Sequence, residues 1–249
     1  MRLPWLTEES SGLFWPWQRR LCSASILSRA VFATNINHQG PKVTMAIERC
    51  FDDDGDVVLD VDTANPHLLR VSSKNLMCAS PVFKALLGPH FREGQAKRSA
   101  EDPAKVCLPE DNGSGMAMIC QQLHPSHEAS STSGAKMDIA AIFDYAVLVD
   151  KYQLVSTLHL QSEAILLSWL VKDSHATSDL GCFLKAVAAS YLLRNKQAFK
   201  IATKFVMNRK SLASELQHAY CWTLLPSSVV GTLQIKSNQS AEFAANALI

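Results

Sequence analysis

The stretch GDVVLDVDTANPHLLRVSSKNLMCASPVFKALL, Gly55 to Leu87, holds two strands, a tight turn and two short helices with almost no residue to spare. Val57, Val58, Leu59 and Val61 are apolar or β-branched and predict a strand. Asp62 to Pro66 supplies Asp, Asn and Pro, each a turn former for its own reason. Leu68 to Val71 returns as a second strand, so the pair reads as a hairpin. Ser72 or Ser73 is placed to cap a short helix holding Leu76 and Met77. Ser80 caps the next helix and Pro81 occupies its first turn, where the missing N–H costs nothing. Val82, Phe83, Leu86 and Leu87 follow at helical spacing, and Gly88-Pro89 stops the helix.

Working outward from this scaffold, Gly94 to Pro103 is polar and reads as a surface loop. Lys105 to Leu108 predicts a third strand, closed by Pro109. Met116, Ile119, Cys120 and Leu123 share a helical face, with Pro125 as the stop. Gly113 and Gly115 weaken the start of that helix, each by roughly 1 kcal/mol. Ser126 to Lys136 has no period and reads as a loop. Ile139, Ile142, Phe143 and Ala146 mark another helix, and Leu154, Leu158, Ile165 and Trp169 the next. Beyond Lys172 the pattern is all-helical, with stripes at Phe183, Val187 and Tyr191, at Ala198, Ile201, Ala202 and Phe205, and at Leu212, Leu216 and Tyr220. The tail from Ser227 is weakly patterned and predicts fraying.

The chain has 249 residues, 47% apolar and 19% charged, with a formal net charge of +1. That balance gives no electrostatic reason to expect nucleic acid or an anionic membrane as main partner. Seven cysteines occur without a CxxC pair, which fits a reducing compartment, cytosol or nucleus. The longest apolar run, Ala164 to Val171, is too short to span a bilayer and reads as a core helix. Residues 1–48 keep no period around Trp5, Trp15 and Trp17. Arg2, Arg19, Arg20 and Arg29 faintly suggest a presequence, but Glu8 and Glu9 fall where such segments avoid acids. A disordered extension, or an upstream addition to a protein beginning at Met45, is the expectation.

No residue set points to catalysis, a cofactor or a metal. Cys120, His124 and His127 are metal-like in type, but a fourth ligand is not evident. A core cysteine with surface histidines is the plainer reading. Asp52, Asp53, Asp54 and Asp56 form an acidic run broken by strand residues from Val57, unlike a calcium loop. Asn112-Gly113-Ser114-Gly115 lacks the Gly-Lys-Ser/Thr ending of a phosphate loop. No G-x-S-x-G elbow occurs, and no spacing sets a nucleophile beside a base. Asn208-Arg209-Lys210 reads as a basic helix C-terminus.

Taken in order, GDVVLDV, LLRVSSKNLMCASPVFKALLGPHFREG, VCLPEDN, MAMICQQLH and AVLVDKYQL resemble a BTB/POZ domain, most of all the fungal-type BTB proteins. The helix pair S-x-x-L-x-x-x-S-x-x-F falls on Ser73, Leu76, Ser80 and Phe83, and F-x-E-G on Phe91, Glu93 and Gly94. The resemblance covers about Asp54 to Trp169 and departs from the pattern at Asn112 to Gly115 and in the Ser-rich loop. It implies an α+β fold, a BTB/POZ-like small sheet with a cluster of helices over 52–171. An all-helical extension over 172–226 and a weakly ordered tail over 227–249 follow. It also implies a protein–protein interaction module rather than an enzyme, self-associating or recruiting partners, with Leu76 and Met77 on the pairing helix. In adaptor members of the family, the residues matching Phe91 and Glu93 contact a cullin. A purely structural loop, with Phe91 tucked onto the core, is the competing expectation.

Overall fold

The computed structural model describes residues 46–124, 137–173, 179–207 and 220–235. All of these fall in one unit, 46–249. The fold is α+β, with a four-stranded sheet in the order β1-β3-β2-β4. β2 (Val57–Val61) and β3 (His67–Val71) form the predicted antiparallel hairpin, with Leu59 opposite Leu69. Val57, Leu59, Val61, Leu69 and Val71 are fully buried while their alternates are half-buried, so one sheet face carries the core. The hairpin turn rests on Asp62, which takes φ 65° and accepts the amides of Ala64 (2.9 Å) and Asn65 (3.2 Å).

β4 (Ala104–Leu108) runs parallel to β2 and inserts Val106 into the core. β1 (Ile47–Cys50) runs parallel to β3 at the other edge and was not expected. It lies across the boundary drawn at residue 48. All four of its residues are exposed, so IERC has no buried face and no alternation to read.

α1 (Ser73–Ala79) and α2 (Pro81–Leu86) follow the hairpin. The Ser80 cap holds as predicted, with its Oγ accepting from the Phe83 amide at 3.1 Å. The α1 cap does not: the Ser72 side chain caps nothing, and the Asp56 carboxylate takes both the Ser73 amide and its hydroxyl at 2.7 Å. A charged acceptor from just ahead of β2 is stronger than the local serine. α3 (Arg92–Gln95) is a single turn in what the sequence predicts as loop.

α4 (Gly113–Leu123) starts on Asn112, whose Oδ1 accepts from the Gly115 amide at 2.8 Å. Gly113 is a point of close approach, because a Cβ there would lie 2.3 Å from Cδ2 of the buried His67 ring. α5 (Ile139–Lys151) buries Ile139, Ile142, Phe143 and Ala146 as expected. α6 (His159–Ser168) runs on into a π-helical turn, Trp169–Asp173. The run from Ala164 is only partly core: Leu166, Trp169 and Leu170 are buried, but Val171 is exposed.

α7 (Leu180–Leu192) buries Phe183, Val187 and Tyr191 and packs on both α5 and α8 (Lys196–Met207). The buried side of α8 is Ala198, Phe199, Ala202, Thr203 and Val206, which leaves Ile201 and Phe205 half-buried at its margin. A 3₁₀ turn spans Tyr220–Leu224, with Tyr220 exposed. Residues 227–235 are helical, labelled α9, and bury Val229 and Leu233 where the sequence predicts fraying. The readings placed on residues 1–45, Pro125, Ser126 to Lys136, His127, Asn208 to Lys210, Leu212 and Leu216 lie outside the described residues. Among the described residues, no helix is long and apolar enough to cross a membrane.

Candidate functional site

Phe91 sits at the N-cap of the one-turn helix α3 and is 45% exposed. It does not tuck onto the core, as the structural-loop expectation had it. The turn that presents it is braced from several sides. The Phe91 carbonyl accepts from the Gly94 amide at 3.1 Å, and Gln95 Nε2 donates to the Pro89 carbonyl at 3.2 Å. Arg98 Nη2 donates to the carbonyl of buried Leu87 at 3.1 Å, while its Nε lies 3.5 Å from Asp56 Oδ2. Arg70 crosses from β3, donating to the carbonyls of Gly55 (3.1 Å) and Ala100 (2.7 Å). Two arginines and one aspartate thus tie residues 87–100 to the hairpin and to α1. Glu93 is half-buried two positions after the exposed ring.

Gly94 makes this arrangement possible. A Cβ there would stand 1.8 Å from the Gly88 carbonyl oxygen, which is backbone and has no room to withdraw. Gly94→Ala is therefore expected to cost about 1–3 kcal/mol and to speed amide exchange across 88–98. A urea titration within about 0.5 kcal/mol of the parent would show that the turn is not held in this way.

The other two expected surface residues part company. Leu76 is fully buried and cannot touch a partner, which corrects its placement on the pairing surface. On a helix of seven residues, only one side remains once Leu76 has turned inward. Met77 is half-buried and lines a shallow groove of about 550 Å³ with Ser73, Lys74, Cys78, Pro81 and Lys84. This groove and the Phe91 turn lie on neighbouring elements, but only the turn offers a large exposed ring.

The polar clusters elsewhere hold the fold together. Asp111 is buried before α4 and accepts from Lys151 Nζ and Tyr152 Oη, both at 2.5 Å. Burial first, and the Asp111 charge second, push the Tyr152 phenol well above its ordinary range. The Tyr152 ring stacks on Phe83 at 4.3 Å, and its carbonyl accepts from Ser80 Oγ at 2.6 Å. Sequence reading missed this cluster, because its members are separated by 40 and 41 residues. Cys120 is core as expected, and burial lifts its thiol to about 12. His124 is not a surface residue: it is buried, its Nε2 accepting from the Ser72 amide at 3.0 Å and its Nδ1 facing the Cys120 carbonyl at 2.8 Å. Those two contacts assign the proton to Nδ1 and use both ring nitrogens in joining α4 to the start of α1. Among the described residues, no group of three His, Cys, Asp or Glu side chains is placed to hold a metal ion.

No protein-family model matches the chain, and no curated protein matches it.

Proposed function

We propose that the chain is a protein–protein interaction module of BTB/POZ type, working in the cytosol or nucleus through burial of apolar surface rather than catalysis. The observation that carries this reading is Phe91, a large ring left 45% exposed on a turn that the fold has braced. An aromatic presented on rigid backbone is the kind of anchor that dominates protein interfaces, because little entropy is lost when it docks. The element order supports the family reading: a hairpin, a short helix pair, a braced turn, a strand parallel to β2, and then helices. Self-association is part of the proposal, with the groove beside Met77 as its surface. Multi-angle light scattering over a range of concentrations tests that part, and a strict monomer removes it.

A second reading, adaptor for a cullin-type ubiquitin ligase, is favoured by the same exposed Phe91 with Glu93 two positions later. The ring fills an apolar pocket and the carboxylate sets orientation. Phe91→Ala/Glu93→Ala is expected to weaken binding to a purified cullin N-terminal region by at least about tenfold. Unfolding should stay within about 1 kcal/mol of the parent, since Phe91 is exposed and Glu93 only half-buried. Normal binding by the folded variant would remove the turn from the account, and no binding by the parent would remove the cullin.

A further inference from the structure

The outward side of α8 combines charge and a concave apolar strip. Lys196, Lys200 and Lys204 recur one turn apart, and α8 contains no acidic residue. Lys200 and Lys204 take no ion pair among the described residues. Beside this row run Gln197, Ile201 and Phe205, which with Lys200 and Lys204 line a groove of about 680 Å³. The Phe205 ring stacks on Phe183 of α7 at 4.9 Å, so the floor of the groove is anchored in the core. In a chain of net charge +1, this places three cations on one short helix beside half-buried apolar side chains.

We infer that this groove docks an acidic, amphipathic segment of a partner protein, with an apolar side chain against Ile201 and Phe205 and carboxylates on Lys200 and Lys204. Charge complementarity selects the sign of the occupant, and the groove selects its shape. A lipid surface fits less well, because a helix lying on a membrane inserts a protruding apolar face about 5–10 Å deep. The main apolar face of α8 is already committed to α7, and Ile201 and Phe205 are sunk beside it. The site is separate from the Phe91 turn, so its failure leaves the cullin test untouched.

The probe is a fluorescein-labelled helical peptide with Leu at i, i+3, i+4 and i+7 and Glu between, titrated with the full chain and followed by anisotropy. Binding is expected to weaken on raising NaCl from about 50 to about 300 mM, as surface charge pairs are screened. Lys200→Glu/Lys204→Glu should reduce it by about tenfold or more, and Lys200→Gln/Lys204→Gln by less. Arg49→Glu/Lys97→Glu, two exposed cations outside α8, should leave it unchanged. Far-ultraviolet circular dichroism confirms that each variant is folded. No binding by the parent, or binding indifferent to the α8 reversals, overturns the inference. Reversal-sensitive binding to phosphatidylserine vesicles without binding to the peptide overturns it in favour of a membrane surface.

Discussion

Asp111→Ala is expected to lower the free energy of unfolding by about 3–4 kcal/mol. The carboxylate is almost completely buried, and two donors from the end of α5 converge on it. Removing it strands the Tyr152 hydroxyl, which sits in the core and donates to this carboxylate. An orphaned buried donor costs about 1–3 kcal/mol. The Lys151 ammonium fares better, since its side chain is 30% exposed and its head can turn to water. Its share is the lost charge-assisted bond rather than a stranded charge. For a domain of ordinary stability, about 5–15 kcal/mol, the sum is a large fraction. Urea titration measures it. Asp111→Ala/Tyr152→Phe should regain about 1–2 kcal/mol over Asp111→Ala alone, because the orphan hydroxyl is gone. Additive losses in that cycle would show that the two groups do not depend on one another.

The same cluster shows where reading from sequence stops. The hairpin was legible because apolar and β-branched residues flank a turn of Asp, Asn and Pro, all of it written locally. The Ser80-Pro81 start of α2 was legible because donor and acceptor lie three residues apart. The α1 cap was misread because its acceptor is Asp56, 17 residues earlier, brought there only by the hairpin. His124 was misread for a similar reason: its partner amide is 52 residues away. β1 has no apolar alternation, so pairing with β3 is its only signature. On α8 the periodicity placed the apolar side correctly at Ala198 and Ala202 but set its edge one position off. The angle at which α7 packs decides whether Ile201 or Phe199 goes inward. Phe91 sits between these cases. Its type and spacing to Glu93 are visible in the chain, but its exposure follows from Gly94 backing onto the Gly88 carbonyl.

Asp150→Asn is expected to stabilise the protein near neutral pH, by about 3 kcal/mol at most. Asp150 lies in the last turn of α5, where burial raises its carboxyl from 3.8 to about 6 and Arg194 only partly opposes the rise. The negative end of the α5 dipole acts in the same direction as the burial. The folded chain therefore holds the Asp150 proton more tightly than the unfolded chain does. That preference favours the fold below about pH 4 and is lost as pH rises through about 6, where the half-buried group must ionise. The gap between 3.8 and about 6, at about 1.4 kcal/mol per pH unit, sets the upper limit of about 3 kcal/mol. Asparagine stays neutral at every pH and escapes this cost, giving up only whatever attraction the carboxylate has for Arg194. Asp144 and His67 carry shifts of their own, the first upward and the second downward, both led by burial. The informative quantity is thus the difference between variant and parent, in which those contributions cancel. Urea titrations at intervals from about pH 3.5 to 8 should show the two proteins converging at the acid end and parting through pH 4–6, with the variant ahead above that. A difference independent of pH, or a parent more stable at pH 7, would mean that Asp150 ionises in the fold at no cost.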